Sequence, residues 1–411
     1  MTSAIIPPSA AARLASRLVL FSVLATGIGQ SMTFALLAPL GREIGLREIQ
    51  VGLIITCSSL VFTLTSPIWG RTCDRWGRKP VLLIGQFGYA FGALLFASVF
   101  FFGLKGALTG VTLYLLVIFS RVLMASLMSA APSAASAYIA DTTVAEERVA
   151  GMGRLGAART LGAILGPAMS GVFAAIGLLA PLYIASGVAL VSSLLLALVL
   201  KEPPRTVDQK RAKVRLKLFD PRFFPFILVG FVTFFAFSMM SQTIGFYIQD
   251  RFVLDGQATA QAIGMGMMMS AGMSFFSQAF LVRRLNMTPT RLMCLGLPIL
   301  LAGYPMLLLA GSVPALVALL GILGLGLGLV SPGFTAGASL AVGPKEQGAV
   351  GGLISACPAA GFVLGPLVGT SLYQVSPVYT YLCACLLMVP LTVYAWRIRG
   401  LGREAVTSPR S

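Results

Sequence analysis

Apolar runs long enough to cross a lipid bilayer recur along almost the whole chain, and no other feature limits its fold so tightly. A membrane-spanning helix takes about 20 mostly apolar residues. Twelve stretches meet that ruler: 18–40, 51–69, 81–102, 111–139, 151–177, 181–200, 223–249, 260–282, 291–311, 314–339, 349–373 and 377–397. They are numbered here as spans one to twelve. Composition agrees, with 57% hydrophobic residues and only 10% charged, where a soluble domain is about a quarter charged. The 45 glycines fit too, because small residues let membrane helices approach closely. The expected fold class is an all-α membrane protein with twelve transmembrane helices.

Orientation follows from the basic residues, since short Lys/Arg-rich loops stay on the cytoplasmic side. With the N-terminus inside, 24 of the 30 Lys and Arg fall in cytoplasmic segments. Only Arg42, Arg47, Lys105 and Arg251 fall outside, and Arg121 and Arg159 lie within the membrane. Both termini are therefore expected to be cytoplasmic, with Trp396 as an interfacial anchor ahead of Arg397 and Arg399. The net charge of +17 does not imply nucleic-acid binding, because the basic residues sit in short loops and form no separate basic domain. Residues 1–16 are short and weakly basic and the apolar run that follows lacks a convincing small-residue cleavage site, so the first span is expected to act as its own insertion signal. The six cysteines have neither metal-ligand spacing nor disulfide logic, and the chain has no histidine. No metal and no cofactor are expected.

Residues 201–222 form the longest non-apolar segment and divide the spans six and six. A like-charge run of this kind reads as a solvated linker, with room for a short surface helix over 210–218. The expected domains are a six-helix bundle over 1–200, the cytoplasmic linker over 201–222, and a second bundle with a short tail over 223–411. The halves are also related in sequence. Glu147–Gly171 lies on Glu346–Thr370 without a gap, at a shift of 199. Gly153 meets Gly352, Gly162 meets Gly361, and Gly166-Pro167 meets Gly365-Pro366. A parallel six-plus-six repeat is a transporter architecture, with the substrate site expected near the midplane between the halves.

Between spans two and three lies a short charged clasp, Gly70 through Leu82. It holds Arg71, Arg75, Arg78 and Lys79 together with one acid, Asp74. The basic residues set topology, but Asp74 has no part in that rule and calls for a partner. Gly77 permits a tight turn, and Pro80 suits the first turn of the next helix.

These features together resemble the major facilitator superfamily, and within it the bacterial twelve-helix drug–proton antiporters such as the tetracycline exporters. Gly70…Asp74-Arg75-Trp76-Gly77-Arg78-Lys79 is similar to the superfamily's loop 2–3 signature. Gly162-Ala-Ile-Leu-Gly166-Pro167-Ala-Met-Ser-Gly171 is similar to the fifth-helix signature associated with antiporters. Ala137 to Asp141, followed by Glu146-Glu147-Arg148, resembles the end of helix four in tetracycline exporters.

The resemblance implies a major facilitator fold of two six-helix bundles and a state-dependent latch. In relatives the loop aspartate caps the N-terminus of helix eleven, which here places Asp74 near Ala349–Gly352. An arginine of the loop pairs with the acid ending helix four, which here suggests Arg78 (or Arg75) with Asp141. The alternative is that the clasp only fixes topology. The second-half counterpart, Arg283-Arg284-Leu285-Asn286, has lost the aspartate and both glycines, so the latch is expected to be one-sided. Gly162 and Gly166 put a bare strip on one helical face and Pro167 removes a backbone hydrogen bond. Such a helix can pack tightly and rock, or simply pack.

Ionisable groups inside a membrane default to functional candidates. Arg121 resembles the helix-four arginine of these antiporters, although Met124-Ala125 stand where the family usually has Gln-Gly. Arg159 lies about two helical turns from Gly166 and shares its face. Both arginines could instead satisfy backbone carbonyls or Gln and Tyr side chains. All thirteen acids fall outside the mid-membrane region. Where many relatives carry a carboxylate in helix one, this chain has Gln30, which cannot titrate. A cationic drug would thus meet two arginines and no carboxylate, and a neutral or anionic substrate suits guanidinium groups better. The coupling proton has no evident carrier, and Asp141 is the best remaining acid. Apolar and aromatic side chains would complete a pocket: Phe34 from span one and Phe235, Met239 and Gln242 from span seven.

The sequence therefore points to a monomeric, multi-pass exporter of a small organic molecule in a bacterial inner membrane, working by alternating access with proton exchange. The alternative cargo is an endogenous anionic metabolite such as a siderophore. A membrane sensor would need an attached signalling domain for which neither terminus has the length, and an enzyme would need a nucleophile–base pair.

Overall fold

The computed structural model describes residues 10–143, 145–203, 219–285, 287–343 and 346–407. Among the described residues the chain is helical between short turns and contains no strand. The first half holds α1 (Ala10–Glu43), α2 (Glu48–Trp76), α3 (Arg78–Leu104), α4 (Gly110–Met128), α5 (Ala130–Thr142), α6 (Ala145–Ala174) and α7 (Ala180–Val199). The second holds α8 (Phe224–Phe252), α9 (Gly256–Phe276), α10 (Val282–Leu285), α11 (Pro289–Met306), α12 (Val313–Leu340), α13 (Gln347–Val375) and α14 (Pro377–Thr407). Ten spans among the described residues are long and apolar enough to cross a membrane, with α4 and α5 counted as one. Helices also cover the other two expected spans. These are α6, which carries Arg154 and Arg159, and α9, which opens among Gln257 and Gln261. The chain is a multi-pass membrane protein.

Three boundaries differ from the sequence expectation. Span four is not continuous: it breaks at Ser129 into α4 and α5. Pro132 supplies no N–H to the carbonyl four residues back, which weakens the helix there. The Ser129 hydroxyl meets Thr65 Oγ1 at 2.8 Å instead. Span eight begins earlier than expected because Asp255 caps α9, accepting from the Ala258 N–H at 2.7 Å. An aspartate in that position satisfies an otherwise orphaned donor. The same span ends in a π-helical turn, Ser277–Leu281, before α10. The suggested surface helix at 210–218 lies outside the described residues.

The chain forms two compact units, residues 1–36 with 57–209 and residues 37–56 with 210–411. In the first, α3 packs on α4, α5 and α7, with Gly85, Gly88 and Gly92 set against Ala131, Leu127 and Met124. In the second, α12 packs on α9 and α11, and α14 on α11. One packing device appears in both units. A Cβ on Gly162 of α6 would stand 2.9 Å from the Gly27 Cα of α1, and one on Gly361 of α13 would stand 2.8 Å from the Phe234 carbonyl carbon of α8. The internal repeat thus survives as a contact, the fifth span of each half lying backbone to backbone on the first.

Candidate functional site

The clasp is a turn with three anchored ends. Gly77 sits between α2 and α3 at φ 106°, a conformation that glycine adopts without strain. Pro80 falls in the first turn of α3. Arg78 reaches back and across: Nε donates to Asp141 Oδ2 at 2.7 Å, and Nη1 donates to Asp74 Oδ1 at 3.0 Å and to the Cys73 carbonyl at 2.9 Å. Of the two arginines suggested for Asp141, the structure pairs Arg78. The Lys79 ammonium donates to the Ala197 carbonyl at 2.8 Å. Gly70 lies within α2 with open space where a Cβ would stand, and Arg75 is in the last turn of α2. Asp74 keeps 74% of its side chain exposed.

The sequence did not reveal that Glu202 belongs to this clasp. Its carboxylate accepts from the backbone N–H of Arg78 and, at 2.8 Å, from that of Lys79. The first N–H groups of a helix have no internal partner, and a carboxylate there also meets the positive end of the helix dipole. In the sequence Glu202 stands in the solvated linker, and its spacing to α3 carries no local signal.

Arg121 is buried at 2% exposure on α4. Its guanidinium lies 4.9 Å from the Phe34 ring centroid and 5.8 Å from that of Phe96. Nη1 approaches Met124 Sδ at 3.8 Å, and Nε has no hydrogen-bond partner. Gln86 on α3 accepts from Thr26 Oγ1 at 2.7 Å, while its own Nε2 donor is unpartnered. This part of the first unit therefore holds buried cationic and amide donors without hydrogen-bond partners, together with the unpartnered Tyr89 hydroxyl. Phe34, expected on the pocket wall, is brought onto Arg121. Gln30 is half-buried on α1 nearby in sequence.

Arg159 is different. Its Nη2 donates to the Pro132 carbonyl at 2.9 Å and to Ser136 Oγ at 3.0 Å, so α6 is tied to α5 and the guanidinium has local acceptors. Gly162 and Gly166 form the crossing with α1: Ser31 Oγ donates to the Gly162 carbonyl at 2.9 Å, and a Cβ on Gly166 would fall 1.9 Å from that hydroxyl oxygen. Pro167 stands inside α6 and Gly171 is buried. In the second unit Phe235 stacks on Phe231 at 6.0 Å. Met239 is fully buried against Gly369 of α13, and Gln242 is 5% exposed. Those two side chains pack α8 rather than face open space.

A third charged group joins residues that the sequence shows only as a basic exception to the topology rule, Arg42, and two acids outside the mid-membrane region. Arg42, at the end of α1, pairs with Glu48 of α2 and Asp250 of α8. The signal in the sequence was Arg42 itself, a basic residue on the side that the positive residues avoid.

The sequence matches the Major Facilitator Superfamily over residues 19–366. It is 27% identical to "Multidrug resistance protein 1" of Bacillus subtilis (strain 168) over 374 residues, covering 87% of this chain and 89% of that protein. It is 25% identical to "Tetracycline resistance protein, class C" of Escherichia coli over 338 residues, covering 79% and 80%. Among solved structures, a bacterial homolog of the human lysosomal transporter Spinster superposes with a TM-score of 0.71 at 14% identity, covering 95% of this chain and 97% of that one.

Proposed function

This chain belongs to the Major Facilitator Superfamily, and from that premise we propose that it exports a small organic molecule from the cytoplasm by alternating access, in exchange for protons. It is a transporter with a membrane setting and a small-molecule substrate; the direction, the proton and the inner-membrane topology with both termini cytoplasmic are the proposal. The observation that carries it is the crossing of α6 over α1 through Gly162 and Gly166, built from the segment similar to the antiporter signature. Side chain is absent from both helices at the point of closest approach, so α6 can pivot on α1 about that point. Two relatives bear the names of a multidrug and a tetracycline resistance protein, which supports efflux of a drug-like compound. The clasp acts as the latch: Arg78 and Asp141 hold it to the first unit, and Asp74 is the member that changes partner. The protein works as a monomer, each copy carrying both units.

A specific observation favours a neutral or anionic cargo, such as a drug with a carboxylate or an endogenous siderophore-like metabolite. Arg121 is a buried cation whose neighbours are aromatic faces and a thioether. A guanidinium with free donors recognises carboxylate and similar acceptors. Gln30, Phe34 and Arg121 supply the polar and aromatic contacts on the first unit, with Arg159 on its exposed face. Phe235 of α8 is the corresponding candidate on the second, Met239 and Gln242 being covered by the packing of that helix.

The test is transport in proteoliposomes under an imposed pH gradient, comparing fluorescein as an anionic probe with ethidium as a cationic one. Gradient-driven fluorescein movement is expected. Ethidium movement with proton exchange, undiminished in Arg121→Ala, overturns the anion reading. No gradient-driven movement of any probe overturns antiport.

A further inference from the structure

The Arg42 group is more than a surface ion pair. Arg42 Nη2 donates to Glu48 Oε1 at 2.7 Å and to Asp250 Oδ2 at 3.0 Å, and Nη1 also donates to Asp250 Oδ1. The pair with Asp250 is therefore bidentate, the geometry that fixes both partners best. Tyr373 of α13 donates its hydroxyl hydrogen to the same Asp250 Oδ2. The guanidinium also covers the Phe246 ring at 4.9 Å. Ends of α1, α8 and α13 thus meet at one carboxylate, and α2 joins them through Glu48 on Arg42. All five residues lie in the second unit, to which residues 37–56 belong although the rest of α1 and α2 do not.

Two features make Asp250 more than a strut. The group holds one cation and two carboxylates, so it carries an excess negative charge that one proton would cancel. The Asp250 side chain is also 42% exposed, against 24% for Arg42 and 21% for Glu48, so water reaches the acid more readily than the base. The other titratable groups facing it are Tyr373, and Tyr381 of α14, with Tyr247 and Arg251 elsewhere on its own helix. Among them Arg251 is exposed, and the tyrosines are neutral over the physiological range.

We propose that Asp250 accepts the coupling proton from the outer side, and that this proton and Arg42 compete for the carboxylate. The assignment rests on the antiport function and outer orientation proposed above. The step is a proton transfer alone. A hydronium gives its proton to an Asp250 oxygen and leaves water, and the side chain goes from −1 to neutral. Arg42 keeps its own proton throughout and retains Glu48 as counter-ion. Losing the bidentate pair removes the ionic tie between residues 37–56 and α8, so proton uptake and loosening of the α1–α2 corner are one event. This supplies a carrier that the helix interiors, with Gln30 in place of an acid, do not.

The test needs no substrate. Spin labels are placed at Ile44→Cys and Val375→Cys in a background whose six native cysteines are replaced by serine, and the distance between them is followed against pH. The expected result is a distance that lengthens as pH falls. Asp250→Asn is expected to hold the long distance at every pH, and Asp250→Glu to restore the response. Tyr373→Phe, a milder change that guards against misfolding, is expected to move the midpoint upward, since the carboxylate loses a donor that favours its charged form. A distance indifferent to pH, a response that survives Asp250→Asn, or a midpoint unmoved by Tyr373→Phe overturns the proposal. If fluorescein or ethidium still moves with the pH gradient while the distance ignores pH, this assignment fails and antiport stands. If neither probe moves with the gradient, antiport fails and the coupling role of Asp250 fails with it.

Discussion

Arg78 and Asp141 form the shielded half of the clasp, with Nε to Oδ2 at 2.7 Å and side chains 19% and 16% exposed. Asp74 shares the same guanidinium at 3.0 Å but is 74% exposed. One arginine thus holds a fixed acid and a loose one. The fixed pair joins α3 to α5 and belongs to the architecture of the first unit. The loose one is able to leave Arg78 for a helix N-terminus without uncovering a buried charge.

This division separates two variants. Asp141→Ala leaves a largely shielded arginine without its acceptor, a loss of about 1–3 kcal/mol. It is expected to lower the thermal midpoint in detergent. Asp74→Asn removes a solvated charge and is expected to leave that midpoint nearly unchanged while lowering transport and shifting the balance of inward and outward states. Transport and state balance both unaltered in Asp74→Asn would mean that the clasp only fixes topology.

At the α1–α6 crossing the expectation is steric. A Cβ at Gly166 would meet Ser31 Oγ at 1.9 Å and the Ile28 carbonyl oxygen at 2.5 Å. The hydroxyl can rotate away but the backbone oxygen cannot, so α6 must move off α1. Overpacking of this kind costs about 1–3 kcal/mol. Gly166→Ala should therefore abolish or strongly slow transport and lower thermal stability. Gly153→Ala, on the same helix with nothing within 4 Å, should do neither. Equal effects of the two substitutions would refute a role for close approach.

How much of this was legible beforehand depended on the range of the signal. Gly77, Pro80 and the Gly162–Gly166 strip are local backbone demands, and a sequence states those directly. The Arg78–Asp141 pair came from a resemblance, since 63 residues separate its members and no periodicity links them. Glu202 and the Arg42–Asp250 pair were missed for the same reason without a motif to help. Glu202 looked like solvent-facing linker, and Asp250 like an acid on an outer loop. Met239 and Gln242 show the opposite error. An apolar helix offers many pocket-wall candidates by composition, and only the packing of α8 on α13 shows which are covered. The counterpart of the clasp at Arg283–Asn286 falls largely outside the described side chains.

A pH effect is expected where the second unit begins. Arg222 holds Glu346 in a two-pronged pair at 2.9 and 3.1 Å. Its hydrogen bonds, with a further one from the Gly343 N–H, keep the Glu346 carboxyl below the usual range. A depressed carboxylate adds stability that is present above its unfolded pKa of about 4.3 and is lost as pH falls through the folded value. Arg222→Ala should therefore lower the thermal midpoint at pH 7. The gap from the parent protein should close on acidification below about pH 4, and high salt should narrow it because the pair is at the surface. A gap that is constant from pH 7 to pH 3 would show that the pair is not the cause.

Arg121 gives the sharpest test of cargo. Its charge rests against Phe34 and Phe96, contacts worth about 0.5–2 kcal/mol, and its Nε donor is unspent. Arg121→Lys keeps the charge but loses the planar fork and the stacking surface, so the substitution is not conservative. If an anion is bound here, Arg121→Ala removes a charge-assisted hydrogen bond of about 1.5–3 kcal/mol, and at 1.4 kcal/mol per factor of ten fluorescein transport falls about tenfold to a hundredfold. Arg121→Lys should fall between the parent and Arg121→Ala, and removal of the positive charge should ease movement of ethidium. Initial rates in proteoliposomes, with protein folding checked by thermal midpoint, measure all three. Fluorescein transport equal in the parent and Arg121→Ala would leave the arginine as a packing residue held by its aromatic neighbours and would return cationic compounds to the field of substrates.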